Sequence, residues 1–211
     1  MNKTNMLIIL CVLASLIYWY IVPEVLDGFL VFSGASLFRG FYWTVLTALF
    51  IHGDFTHLAG NMLFLFVFGN TLEEELGANK TMTAFFIGGV SSFIISIFFY
   101  GLDTVMLGAS AAIFTLTAIV MLTKPLKFSW LFFMPLGLVA ILYFLYNVIA
   151  VMYIEGGSIG YLAHVIGFLT GFPLGIIWSR RRWKRNILIA IVLLIAYLAL
   201  MYFLCPIFET F

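Results

Sequence analysis

Ser110 opens an apolar run that ends at Thr123 before Lys124, and it follows a glycine turn, Gly108-Ala109-Ser110-Ala111. Fourteen residues as a helix rise ~20 Å, short of the ~30 Å hydrocarbon core of a bilayer. If Lys124 marks one membrane face, the Ser110 hydroxyl lies ~10 Å beneath the other. A hydroxyl there sits on the positive end of a helix dipole. Facing a histidine from another helix, it has the makings of a hydrolase that works inside a membrane.

The expected base is His164. Its helix is predicted to begin near Ile159, which puts the imidazole ~7.5 Å deep by helical rise. Gly160, Gly167, Gly171 and Gly175 share its stripe, at spacings of three and four. Small residues so spaced let membrane helices pack closely, and the short helix with Ala109, Ala111 and Ala112 in its first turn is the natural partner. Such a stripe alone is a packing surface. An ionisable side chain on it, at the depth of Ser110, points to function.

His57 and Asn61 are four residues apart and share a helix face. They lie ~4.5 Å and ~10 Å below the outer edge if their helix starts near Asp54. The Asn61 amide offers donors for a developing oxyanion, and the Ser110 backbone N–H offers another. His52 reads as structural. Gly34-Ala35-Ser36 repeats the Gly-Ala-Ser string but opens no membrane helix and faces no base. No carboxylate lies at the right depth for a triad, since Asp54 is at the outer edge, Asp103 and Glu155 are in outer loops, and Glu73, Glu74 and Glu75 are at the inner end. A Ser-His dyad is the economical reading, with histidine as base and then acid.

These residues need a scaffold of membrane helices, and composition supplies it. The 211 residues are 64% hydrophobic and 9% charged, against ~25% charged in soluble domains. Apolar runs recur at spanning length, so the fold class is an all-α polytopic membrane protein. Helices are predicted at about 6–22, 55–72, 81–101, 110–123, 128–153, 159–178 and 187–206. The first run resembles a signal peptide but is long for one and lacks a clear cleavage site, so it reads as retained. Residues 23–54 are too long for a turn and too aromatic for a solvated loop, so they are expected to lie in the outer interface as short helices, with Tyr42 and Trp43 at headgroup level.

Seven spans put Lys3, Lys80, Lys124, Lys127 and the basic run 180–185 on one side, leaving only Arg39 of the ten cations opposite. The N-terminus is therefore expected in the cytoplasm and Ser110 in the outer half of a cell membrane. Net charge is +1 and no nucleic-acid motif is present. Cys11 and Cys205 form no disulfide framework, and the three histidines show no zinc spacing. No cofactor, metal or nucleic-acid partner is expected. The whole chain, 1–211, reads as one membrane domain: a core at about 6–178 and an additional helix at about 187–206.

Taken together, these residues resemble the rhomboid intramembrane serine proteases from about residue 43 to 175. His57-Leu58-Ala59-Gly60-Asn61 is similar to the family's His-x-x-x-Asn motif, Gly108-Ala109-Ser110-Ala111 to its Gly-x-Ser-x motif, and Ala163-His164-Val165-Ile166-Gly167 with Gly171 to its Ala-His-x-x-Gly-x-x-x-Gly motif. The resemblance implies a six-helix bundle around a wet cavity, here with one extra C-terminal helix. It implies Ser110 as nucleophile, His164 as base, and an oxyanion hole of His57, Asn61 and the Ser110 backbone, with Gly108 and Phe114 in support. It implies a membrane-embedded first loop at 23–54, a mobile fifth helix, and a cap at Glu155-Gly156-Gly157-Ser158. The substrates it implies are transmembrane helices of other proteins, cut near the outer leaflet. Three positions depart from the family pattern: Phe114 replaces a common tyrosine, Thr44 follows Trp43 where arginine is usual, and Glu75 stands where the inner Glu-x-Arg-x-Gly string has arginine. Two other readings keep the same composition: a catalytically inactive relative that escorts membrane helices, and a transporter with His and Asn lining a path. The latter lacks inverted repeats and intramembrane carboxylates.

Overall fold

A computed structural model describes residues 2–153 and 160–208. The first helix, α1, spans Lys3–Tyr20. It begins earlier than hydropathy suggests because its end is capped twice. Asn2 accepts from the Asn5 N–H at 2.9 Å, and the Glu73 carboxylate accepts from the Lys3 and Thr4 N–H groups at 2.8 and 2.7 Å. These bonds satisfy first-turn donors that have no partner within the helix.

The connection that follows is a chain of short helices, as expected for residues 23–54. It contains a 3-10 turn Glu24–Leu26, α2 (Asp27–Leu30), α3 (Gly34–Phe38), α4 (Thr44–Thr47) and a second 3-10 turn Ala48–Phe50. Trp43 donates its indole N–H to the Phe29 carbonyl at 2.7 Å. Thr44 is fully buried and donates to the Phe41 carbonyl at 2.7 Å. The segment is thus pinned from inside at Thr44, which stands where the family pattern usually has arginine.

Next come α5 (Phe55–Phe64), a π turn (Leu65–Gly69) and α6 (Asn70–Leu76), which form one continuous span. Then follow α7 (Ala78–Tyr100), α8 (Ser110–Thr123), a small hairpin of β1 (Phe128–Ser129) with β2 (Met134–Pro135), and α9 (Leu136–Tyr153). The chain closes with α10 (Tyr161–Trp178) and α11 (Trp183–Phe208). Among the described residues, α1, the α5–α6 unit, α7, α9, α10 and α11 are long and apolar enough to cross a membrane, and α8 is shorter. The chain is therefore a multi-pass helical membrane bundle.

The largest boundary difference from expectation lies ahead of α9. Residues 128–135, which the sequence reads as helix, form the hairpin instead. Apolarity alone does not separate helix from strand. Phe128, Trp130, Phe132 and Phe133 favour extended backbone, Phe133 takes φ +52°, and Pro135 has no N–H for a helix to use. The freed donors of the next turn are not lost. Leu136 N–H bonds the Lys127 carbonyl and Gly137 N–H bonds that of Pro125, both at 2.8 Å.

The helices α7, α9, α10 and α11 pack around α8, in which every residue from Ala111 to Leu122 is buried. Glycines make that possible. On α10, a Cβ at Gly167 would overlap the Ala111 carbonyl, and one at Gly171 would sit 2.5 Å from the Thr115 carbonyl oxygen. On α7, Gly88 meets the Thr115 side chain and Gly89 meets Leu49. Thr115 then donates to the Gly167 carbonyl at 2.6 Å, tying α8 to α10. Ringed by protein, α8 need not match the bilayer's thickness. Its far end is held by ions and an amide: Lys124 pairs with Glu75 at 2.9 Å, Lys127 with Glu74 at 2.5 Å, and Asn186 of α11 donates to the Leu122 carbonyl at 2.7 Å.

Candidate active site

Opposite that charged end, a cavity of about 550 Å³ opens among the N-terminal turns of α5, α8 and α10. Ser110, His164, His57, Asn61 and Phe114 all line it. Gly53, Asp54 and Thr56 at its rim are exposed, Ser110 and His57 are half-buried, and Asn61 and His164 at its floor are 8% and 4% exposed. The cavity thus runs from the surface down to the imidazole.

Each side chain has a local reason for its place. Asp54 caps α5 by accepting from the His57 N–H at 2.8 Å, which starts the helix so that His57 and Asn61 face inward. Gly108 has φ +108°, a left-handed conformation suited to glycine. A Cβ there would also stand 2.9 Å from two atoms of the His57 ring. The turn before Ser110 therefore needs glycine twice over, for its backbone and for the close approach of His57. The Gly108 N–H bonds the Ala48 carbonyl at 2.8 Å, anchoring the turn to the 23–54 segment. Ser110 is the first residue of α8, so its N–H has no acceptor within the helix.

His52 stands just behind. It is fully buried, with Nδ1 3.1 Å from Ser15 Oγ and Nε2 accepting from the Ala109 N–H at 3.4 Å. Its own carbonyl accepts from the Trp19 indole at 2.7 Å. This histidine braces the turn and does not line the cavity. Ser36 is likewise accounted for: it forms a reciprocal capping box with Ser33.

His164 is held on three sides. Phe114 lies parallel to it with ring centroids 4.6 Å apart, Tyr161 meets it edge-on at 6.4 Å, and its Nδ1 is 2.7 Å from Asn147 Oδ1. Asn147, on α9 and 1% exposed, was not singled out from sequence. Its signal was there: an amide within a strongly apolar span, one turn from Tyr143, whose ring stacks on Phe114 at 4.6 Å. No hydrogen bond joins the Ser110 hydroxyl to His164. Both side chains line the same cavity. Asn61 Nδ2 is buried without a partner, an uncommon condition that calls for an explanation. Among the described residues, no three His, Cys, Asp or Glu side chains gather as metal ligands. The expected cap at Glu155-Gly156-Gly157-Ser158, together with Ile159, lies outside the described residues.

The model of the Rhomboid domain family matches residues 39–181, well over half of the chain. The chain belongs to the rhomboid family. It is 26% identical over 182 residues to Rhomboid-like protease 1 of Toxoplasma gondii, covering 79% of this chain and 62% of that protein. It is 27% identical over 154 residues to the putative rhomboid protease YdcA of Bacillus subtilis, covering 70% and 72%. With the chloroplastic Rhomboid-like protein 11 of Arabidopsis thaliana it shares 34% identity over 89 residues, 42% of this chain and 31% of that one. The chain thus spans about a third to two thirds of the length of the plant and Toxoplasma relatives. The rhomboid match runs from the end of α3 to the residues after α10, so α1 and α11 flank it. Two of these relatives are named proteases, which sets this rhomboid within a protease family.

Proposed function

We propose that this rhomboid is an intramembrane serine endopeptidase that cuts transmembrane segments of other proteins by a Ser110–His164 dyad. The observation that carries the reading is that a serine at the start of a buried helix, a histidine, and an unpartnered amide donor line one cavity reaching the surface. His164 takes the proton from Ser110 Oγ as the oxygen attacks the peptide carbonyl. The tetrahedral oxyanion accepts hydrogen bonds from Asn61 Nδ2, the Ser110 N–H and His57. That role explains the orphan amide, whose acceptor exists only when charge develops. His164 then hands its proton to the leaving amine. Water from the cavity mouth hydrolyses the acyl-enzyme by the same steps, with His164 again as base. No metal or cofactor takes part in these steps.

The substrate is a helix whose carbonyls are already hydrogen-bonded, so it must unwind to be cut. Segments with Gly or Pro near the outer leaflet suit this best. The side follows from charge. Glu74 and Glu75 pair with Lys127 and Lys124, and Glu73 accepts from the Lys3 backbone N–H, at the bundle end away from the cavity. With that basic end in the cytoplasm, the cavity opens on the outer side of a cell membrane.

Reconstitution with a labile single-span substrate tests the reading. Cleavage is expected from the unaltered chain, and from neither Ser110→Ala nor His164→Ala. A serine-directed fluorophosphonate should label Ser110. Cleavage persisting in Ser110→Ala would remove the reading. Substrate binding without cleavage by the unaltered chain would favour a catalytically inactive escort of membrane helices.

A further inference from the structure

The bond between Asn147 and His164 has a direction that can be read from its neighbours. Asn147 Nδ2 lies 2.8 Å from the Tyr143 carbonyl oxygen. A carbonyl only accepts, so the amide nitrogen must be the atom that faces it. That orients Oδ1 toward the imidazole, where it stands 2.7 Å from Nδ1. An amide oxygen also only accepts, so Nδ1 must carry hydrogen. In the neutral ring the lone pair then belongs to Nε2. Backbone carbonyl, amide and imidazole thus form a one-way relay in which each acceptor fixes the donor that follows. Both side chains are almost fully buried, Asn147 at 1% and His164 at 4% exposed, so water competes little for these bonds.

We propose that Asn147 is a positioning residue that holds His164 as its Nδ1–H tautomer, leaving Nε2 as the proton acceptor. The proposal rests on the reading of His164 as the base for Ser110. Its logic is that of any base oriented by a third group, with an uncharged amide in place of a carboxylate. Tyr143 works from the same helix, one turn earlier. Its carbonyl sets the amide, and its ring stacks on Phe114, which stacks on His164. Ring plane and proton position are therefore both set from α9. A large excursion of α9 would release the tautomer, so the competent state is the one with α9 seated against α10.

Histidine-selective 15N labelling tests this directly, because the chain has three histidines and His164→Gln assigns the signal. Protonated and lone-pair ring nitrogens resonate far apart. At neutral pH, His164 should show a bare Nε2 and a protonated Nδ1, in both the unaltered chain and Ser110→Ala. Asn147→Leu keeps the volume and removes the acceptor. It should mix the tautomers and lower kcat on the order of 10²-fold with little change in KM, less than the ~10⁴-fold seen where a charged orienting partner is lost. Asn147→Asp restores an acceptor and should recover most of the rate. A protonated Nε2 in the unaltered chain would overturn the proposal even if Asn147→Leu fails to fold. So would a folded Asn147→Leu with unchanged tautomer and kcat. Cleavage that never depends on Ser110 would instead sink the protease reading, while the nitrogen signals would still report whether Asn147 sets the ring.

Discussion

Phe114 lies face to face with His164, ring centroids 4.6 Å apart and planes 9° from parallel. On its other face Tyr143 stacks at 4.6 Å. The phenyl ring is 1% exposed and is packed between the imidazole and the Tyr143 ring, a wall that fixes the plane of His164. Such a stack is worth about 0.5–1.5 kcal/mol beyond burial, and nothing in it requires a phenolic hydroxyl. Phe114→Tyr should therefore keep cleavage within a few-fold of the unaltered chain. Phe114→Leu, which fills much of the space but cannot stack, should lower kcat about tenfold, because small misplacements of a reacting group are expensive. Initial rates on one reconstituted substrate compare the three. Full inactivation by Phe114→Tyr would mean that the wall is not what this residue provides.

Gly167 carries the second expectation. It stands against the Ala111 carbonyl, one residue from Ser110, where a Cβ has no room. Gly167→Ala must push α10 away from α8 and carry His164 with it. Overpacking of this kind costs about 1–3 kcal/mol, and a shift near 1 Å can cost ~10²-fold in rate. Both a lower thermal midpoint and a rate loss of at least tenfold are expected. Gly28→Ala is the control, since nothing lies within 4 Å of a Cβ there. A fully active Gly167→Ala would contradict the close packing of the two helices.

Much of this was legible because membrane helices announce themselves. With no water in the hydrocarbon, apolar length and the periodic glycines of α10 are direct statements about burial. Ser110, His164, His57 and Asn61 stood out as polar groups in apolar surroundings. The hairpin at 128–135 was not legible, because strand and helix are equally apolar there and the deciding signals were Pro135 and a left-handed Phe133. Asn147 is not legible because, beside its local bond to the Tyr143 carbonyl, its other partner lies on the next helix. His164 is seventeen positions away, and only folding makes them neighbours. Glu75 remains a departure from the family pattern, and its partner Lys124, just past the end of α8, is likewise brought to it only by folding.

That ion pair can be tested by exchanging its charges. Lys124 Nζ is 2.9 Å from Glu75 Oε2, with side chains 48% and 35% exposed. Water screens such a pair, so its worth is about 0.2–1 kcal/mol. Glu75→Arg, the residue type usual in the family string, would set two cations against each other and should lower stability. Lys124→Glu in the same chain should restore it. A double-mutant cycle on unfolding free energies isolates the coupling. Additive effects of the two changes would show that the two charges do not interact.

His52 gives the pH expectation. Burial, with the charge of His57 adding to it, pushes its pKa from 6.5 down to about 3. The geometry agrees: Nε2 must keep its lone pair to accept the Ala109 N–H, and a second ring proton would abolish that bond. In the unfolded chain His52 takes up its proton near its ordinary value. Between about pH 6.5 and 3 the unfolded state therefore holds a proton that the folded state refuses. Stability from this site is complete above 6.5 and drains away as pH falls toward 3, by at most about 1.4 kcal/mol per pH unit. His52→Gln keeps an acceptor for Ala109 but cannot titrate. Its unfolding free energy, measured in detergent across this range, should fall less steeply with acid than that of the unaltered chain. Parallel slopes for the two proteins would mean that His52 is protonated alike in the folded and unfolded states.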